Sequence, residues 1–246
     1  MPDVPLLFVA LVFVLAGFVK GVIGLGLPTI GMGLLALAMP PVQAAAILVL
    51  PSLVTNVWQM LAGPALVGLA RRLAPMLLGV CAGTWAGAGL MTGSHAQYGV
   101  VALGVALMLY AASGLAALRL RRNPRHEPWL GTAVGGVTGV ITAATGVFVI
   151  PAVPYLGAIG LEKEELVQAL GLSFTVSTLA LSVNLAFAGA LHMALAGPTL
   201  LALAASGVGM ALGQALRLRL SPAAFRRWFF AGLLGLGAWL VWRAAG

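Results

Sequence analysis

Charge is the scarcest property of this chain. Its 246 residues include 13 Lys or Arg and 5 Asp or Glu, so 7% are charged, where an ordinary soluble domain has about 25%. Residues 21–70, 73–118, 128–161 and 166–216 contain none of the four types. A bilayer crossing takes about 20 apolar residues, so these runs hold several crossings. A soluble globular domain is excluded.

Cysteine is nearly absent as well. Cys81 stands alone, which excludes an intrachain disulfide and a thiolate metal site. Its place inside an apolar run predicts a buried, inert thiol. Acid is missing where it would matter most: Asp3, Glu127, Glu162, Glu164 and Glu165 all fall at segment ends or in loops. A carboxylate proton relay through the membrane therefore has no residues to run on. His95 and His192 sit in short loops without acidic partners, a poor basis for a metal pathway. No metal, no cofactor and no catalytic residue is expected. The N-terminal Met1-Pro2-Asp3-Val4-Pro5 also lacks the basic stretch that opens a signal peptide, so the first apolar segment is expected to stay as structure.

What the chain does have is positive charge in clusters. The net charge is +8, which could suggest nucleic acid. The basic residues, however, sit at the edges of apolar runs: Arg71 and Arg72, then Arg119, Arg121, Arg122 and Arg125, then Arg217, Arg219, Arg226 and Arg227. Cytoplasmic loops of membrane proteins are marked this way, and no nucleic-acid partner is expected.

Cutting the apolar runs at Arg clusters, Pro and turn residues predicts ten helical segments: 6–23, 28–39, 42–62, 73–91, 98–118, 129–145, 146–159, 166–188, 196–216 and 228–242. Their Gly and Pro content suits membrane helices. The two halves repeat. Gly17-Phe18-Val19-Lys20-Gly21 aligns with Gly135-Gly136-Val137-Thr138-Gly139, Val42-Gln43-Ala44 with Val167-Gln168-Ala169, Ser52 with Ser177, and Gly83–Gly87 with Gly209–Gly213. The expected domains are a first membrane repeat at 1–118, a basic cytoplasmic loop at 119–128 and a second membrane repeat at 129–246.

Charge orients the halves. The loop with Arg71 and Arg72 corresponds to 189–196, which has only His192, while 92–97, with only His95, corresponds to the Arg-rich 217–227. Equivalent loops carry opposite bias, so the repeats are expected to be inverted, with all Arg loops cytoplasmic and both termini outside. The fold class is thus an all-α polytopic membrane protein of two inverted repeats, about five segments each, with broken or re-entrant Gly-rich helices. Residues 129–160 are too few for two full crossings. Either a helical hairpin or two tilted crossings with almost no loop satisfies that limit.

Polar residues inside the segments mark a candidate site. Gly24-Leu25-Gly26-Leu27-Pro28-Thr29 and Thr142-Ala143-Ala144-Thr145-Gly146 fall where each Gly-rich pair must break. The half-helix that follows a break presents N–H donors and partial positive charge to an anion; the alternative is a plain kink filled by a neighbour. Lys20 is the one charge deep within an apolar run. It is either a functional group or a side chain snorkelling to the interface. Ser52, Asn56 and Gln59 share one helix face, as do Ser173, Ser177 and Asn184. They either line a shared cavity or hydrogen-bond between helices. Gly17/Gly21, Gly83/Gly87, Gly135/Gly139 and Gly209/Gly213 predict close helix packing.

With these residues in view, the chain resembles the TauE/SafE family of sulfite exporters and sulfonate permeases over nearly its whole length. The resemblance rests on Gly17-x-x-x-Gly21-x-x-Gly24-x-Gly26, its repeat at Gly135–Gly146, and Pro51-Ser52-x-x-Thr55-Asn56-x-x-Gln59. The second half departs from the pattern, with Thr142 and Ala144 where the first has Gly24 and Gly26. The resemblance implies transport of a small sulfur-containing anion such as sulfite or an organosulfonate. The expected binding set is Lys20, Gly24, Gly26, Thr29, Ser52, Asn56, Gln59, Thr142, Thr145, Gly146, Ser173 and Ser177. The expected partners are that small anion, the lipid bilayer of a bacterial inner membrane and, as an open option, further copies of the chain as a homo-oligomer. Two rival classes are weaker. An intramembrane enzyme needs a nucleophile with its base or a metal set, and the segments hold neither. A non-transporting membrane subunit needs no polar stripe and no intramembrane lysine.

Overall fold

The computed structural model describes residues 5–92, 98–116 and 127–245. The cluster Arg119–Arg125, His95 and Asp3 lie outside them. Every regular element among the described residues is helical: α1 (Leu6–Ile23), α2 (Leu27–Leu35), α3 (Pro41–Leu61), α4 (Leu66–Ala86), α5 (Gly99–Leu115), α6 (Glu127–Thr145), α7 (Ala152–Ala158), α8 (Lys163–Phe187), α9 (Ala196–Leu216) and α10 (Pro222–Ala245), with a 3-10 turn at Met193–Leu195 before α9. Among the described residues, five stretches are long and apolar enough to cross a membrane: α1, α3, α4, α8 and Met193–Leu216.

Local chemistry sets the boundaries. α1 stops at Gly24, whose left-handed φ of 76° lets its N–H close back on Lys20 O, the usual glycine ending of a helix. Gly26, at φ 119°, completes the reversal, and Pro28 then sits in the first turn of α2, where its missing N–H costs nothing. α8 opens on a capping box in which Glu162 and Glu165 satisfy each other's backbone N–H groups.

The second and seventh segments are half-length. α2 has 9 residues and α7 has 7, which rise only about 14 and 11 Å at ~1.5 Å per residue. Neither is long enough to cross the bilayer by itself. The expected helix at 146–159 is therefore corrected to 152–158. Ahead of it the chain turns at Gly146 (φ 71°) and reaches α7 through a cis Ile150–Pro151 bond. The expected break at 142–146 also shifts, because Thr142 and Thr145 are still helical. Their hydroxyls donate to Thr138 O and Ile141 O, both at 2.7 Å, within their own helix.

Three further expectations are corrected. α4 begins at Leu66, so Arg71 and Arg72 are helical rather than in a loop. Arg72 pairs with Glu127 through Nε–Oε1 at 2.6 Å and Nη2–Oε2 at 3.1 Å, and its Nη2 also donates to Ile159 O at 2.7 Å. One guanidinium thus ties α4 to the start of α6 and the end of α7. In the same way α10 begins at Pro222, so Arg226 and Arg227 belong to its first turns. Cys81, expected to be buried, lies on the exposed outer side of α4, the side that meets lipid in a membrane.

Glycine seams hold the bundle together. The largest helix contacts are α4 with α6 and α1 with α9, followed by α5 with α10 and α3 with α8. The space a Cβ would need at Gly17, Gly21, Gly209 and Gly213 is taken by Ser206 O, Met210 O, Val14 O and Phe18 O. In the other seam Gly135, Gly139, Gly79 and Gly83 meet Met76 O, Val80 O, Thr132 O and Gly136 O. Residue numbers rise together across each seam, so α1 runs parallel to α9, and α4 parallel to α6. The α3–α8 and α5–α10 contacts run antiparallel: Asn56 meets Thr178 and Gln59 meets Val167, while Gly104 meets Gly237 and Gly114 meets Phe230. The seams match Gly79 and Gly83 to Gly209 and Gly213, one helical turn from the alignment of Gly83–Gly87. Gly79, Gly83 and Gly87 recur every fourth residue, so sequence alone cannot fix that turn.

Candidate functional site

The centre of the bundle is polar. Lys20, in the last turn of α1, is 4% exposed, and its Nζ donates to Asn56 Oδ1 on α3. Asn56 is fully buried and donates in turn from Nδ2 to Thr178 Oγ1 on α8 at 3.3 Å. The Thr178 hydroxyl donates to Phe174 O at 2.7 Å. The chain of donors therefore has one direction, from the ammonium to a backbone carbonyl. It fixes which end of the Asn56 amide faces Lys20. The one ion pair among the described residues is Arg72 with Glu127, so Lys20 meets an amide and no carboxylate. A buried ammonium without a counter-charge is expensive.

Around this chain the expected residues divide into three groups. Gln59 lies one turn beyond Asn56 and donates from Nε2 to Val167 O at 3.0 Å. The same Nε2 faces the position where Gly24 would carry a Cβ, 3.6 Å away. Lys20, Gly24, Asn56 and Gln59 thus come together. Ser52, Ser173 and Ser177 are wholly buried, and their hydroxyls have no hydrogen-bond partner. Pro51, inside α3, has no N–H to give to its helix, and Thr55 Oγ1 donates to Pro51 O at 2.8 Å.

The third group is occupied with its own backbone. Thr29 donates to Gly26 O at 3.0 Å. Thr142 and Thr145 donate back into α6, and Thr145 Oγ1 also accepts from Val147 N at 3.1 Å. Gly146 packs against the Met32 thioether of α2, with a Cβ position 3.0 Å from its sulfur. The second break therefore packs against α2, the half-helix that follows the first, in the interior.

Sequence reasoning missed two residues. Thr178 receives the Asn56 amide, yet the stripe read on α8 was Ser173, Ser177 and Asn184. Its neighbour in sequence took its place because both are small hydroxyl residues. Asn184 instead donates to Thr84 O at 2.7 Å. Gln168 is 1% exposed and closes one end of the bundle, donating to Met60 O and Gly63 O and accepting from Ala65 N. Its signal was present in the repeat, as the partner of Gln43.

Residues 9–240 match the family described as Sulfite exporter TauE/SafE. The chain belongs to this family. TauE/SafE proteins are membrane transporters of the sulfite-exporter type rather than enzymes, and the chain is accordingly a multi-pass membrane transporter. No curated protein and no solved structure matches it.

Proposed function

We propose that the protein moves sulfite or a small organosulfonate across the bacterial inner membrane by alternating access, with the anion held beside Lys20. The observation that carries this reading is the Lys20–Asn56–Thr178 chain, a buried cation with hydrogen-bond partners and no carboxylate. An anion seated there supplies the missing charge. The unpartnered hydroxyls of Ser52, Ser173 and Ser177 are donors suited to its oxygens, since a buried polar group left unpaired costs about 1–3 kcal/mol. Gly24 and Gly26 let the backbone come close, and Gln59 stands at the edge of the site. The set carried into this proposal also includes Thr29, Thr142, Thr145 and Gly146 at the two breaks.

The two halves act as inverted repeats. Support comes from the pairing of seams, α1 with α9 and α6 with α4, each element meeting the counterpart of its counterpart's partner. A site between two such halves opens to either face as one half rocks against the other. Arg71, Arg72, Arg217, Arg219, Arg226 and Arg227 gather at one end, which the positive-inside rule assigns to the cytoplasm. The test is uptake by purified protein in liposomes, comparing sulfite, sulfoacetate, taurine and sulfate. Saturable movement of at least one sulfur anion is expected. Failure of all four, in protein shown to be folded, rejects the reading.

A further inference from the structure

A second polar feature lies at the Arg-rich end. A cleft of about 160 Å³ opens between the end of α3, the start of α8 and the end of α9, lined by Gln59, Lys163, Glu164, Gln168 and Arg217 among others. Lys163 and Arg217 come from different helices, and neither is in an ion pair among the described residues. Two cations facing one space repel each other, and Glu164 offsets only one of them. Such a concave, net-positive wall concentrates small anions. The Arg217 guanidinium adds a planar fork that matches a pair of oxygens on one centre.

The floor of the cleft is what gives it a purpose. Gln59 lines it and is itself 7% exposed. Its amide is held by Val167 O across the α3–α8 contact, and Asn56, the partner of Lys20, lies one turn deeper on the same helix. Gln59 and Asn56, one turn apart on α3, thus connect the lining of the cleft to the buried lysine. We propose that the cleft is a second anion-binding site, in which Lys163 and Arg217 hold a small oxyanion at the cytoplasmic end before it passes Gln59. This inference rests on the anion-transport reading above. It adds a place where the substrate waits and assigns roles to Lys163, which the sequence did not single out, and to Arg217, which the sequence marked only as part of a cytoplasmic cluster.

The test uses inside-out membrane vesicles, which present this end to the medium, with radiolabelled sulfite as the probe. The double variant Lys163→Gln/Arg217→Gln should raise the KM for sulfite about tenfold, the lower end of what a focusing cleft provides, and leave the maximal rate close to wild type. Glu164→Gln removes the opposing charge and should lower KM. Raising the salt concentration should bring wild type towards the double variant, because screening weakens exposed charges. Arg219→Gln, on the same face but outside the cleft lining, should change nothing. An unchanged KM in the double variant, or an equal rise in Arg219→Gln, overturns the proposal. If the double variant is unchanged while Lys20→Gln is inactive, only the second site falls. If wild type moves no sulfur anion at all, the transport reading falls and takes this inference with it.

Discussion

Lys20 and Asn56, separated by 36 residues in sequence, meet in the interior with the ammonium donating to the amide oxygen. Asn56 holds the position an aspartate would take if Lys20 served only to lock α1 to α3. An amide leaves the positive charge free to be matched by something from outside. Asn56→Asp should therefore reduce sulfite transport sharply, because an internal carboxylate takes the counter-charge role. A hydrogen bond to a charged group is worth about 1.5–3 kcal/mol, so a loss of roughly tenfold or more in apparent affinity is expected. Wild-type uptake by a well-expressed Asn56→Asp protein would show that Lys20 faces no substrate.

The polar face of α3 should also be graded. Asn56→Leu strands both Lys20 and Thr178, and Gln59→Leu removes the contact to Val167 O. Each should weaken substrate affinity by about 1–3 kcal/mol. Ser113→Ala should do little, since Ser113 only donates to Tyr110 O within α5. Equal and negligible effects from all three, at matched expression, would move the site away from this face.

The seams make an independent prediction about stability. A Cβ at Gly135 collides with Met76 O, whereas at the adjacent Gly136 it meets open space. Gly135→Ala should destabilise the detergent-purified protein by about 1–3 kcal/mol, the usual range for overpacking. Gly136→Ala should melt at the wild-type temperature or slightly above it, since alanine favours the helix. Thermal melts that do not separate the two variants would contradict the α4–α6 register.

Orientation can be read by labelling. In a Cys81→Ala background, single cysteines near Arg122 and Arg219 should resist an impermeant thiol reagent in intact cells. Cysteines near His95 and His192 should react. Labelling of one Arg region but not the other would require an odd number of crossings between them and break the inverted arrangement, in which both are cytoplasmic.

Much of this architecture was legible because membrane helices are written in composition. The limits of α1 at 6–23 coincide with the apolar run that ends at Gly24, and the glycines spaced by four residues pointed to the close seams. Charge misled where it was treated as a boundary. Arg71 and Arg72 sit within α4 because Arg72 finds Glu127 and Ile159 O at that level, a long-range pairing that local sequence does not reveal. The buried position of Lys20 and its partner Asn56 were both expected to matter. Thr178 was not, since which of two adjacent hydroxyls faces α3 depends on helix rotation. Thr142 and Thr145 were expected to face the break, but a helical threonine readily bonds the carbonyl four residues back, and both do.

The central claim is that a small anion supplies the counter-charge of Lys20. Calorimetric titration of sulfite into purified wild type, Lys20→Arg and Lys20→Gln tests it without assuming direction of transport or a coupling ion. Wild type should bind. Lys20→Arg should bind more weakly, because it keeps the charge on a larger, planar donor set, and Lys20→Gln should give no measurable heat while melting cooperatively. Sulfite binding by folded Lys20→Gln with wild-type affinity would contradict the account.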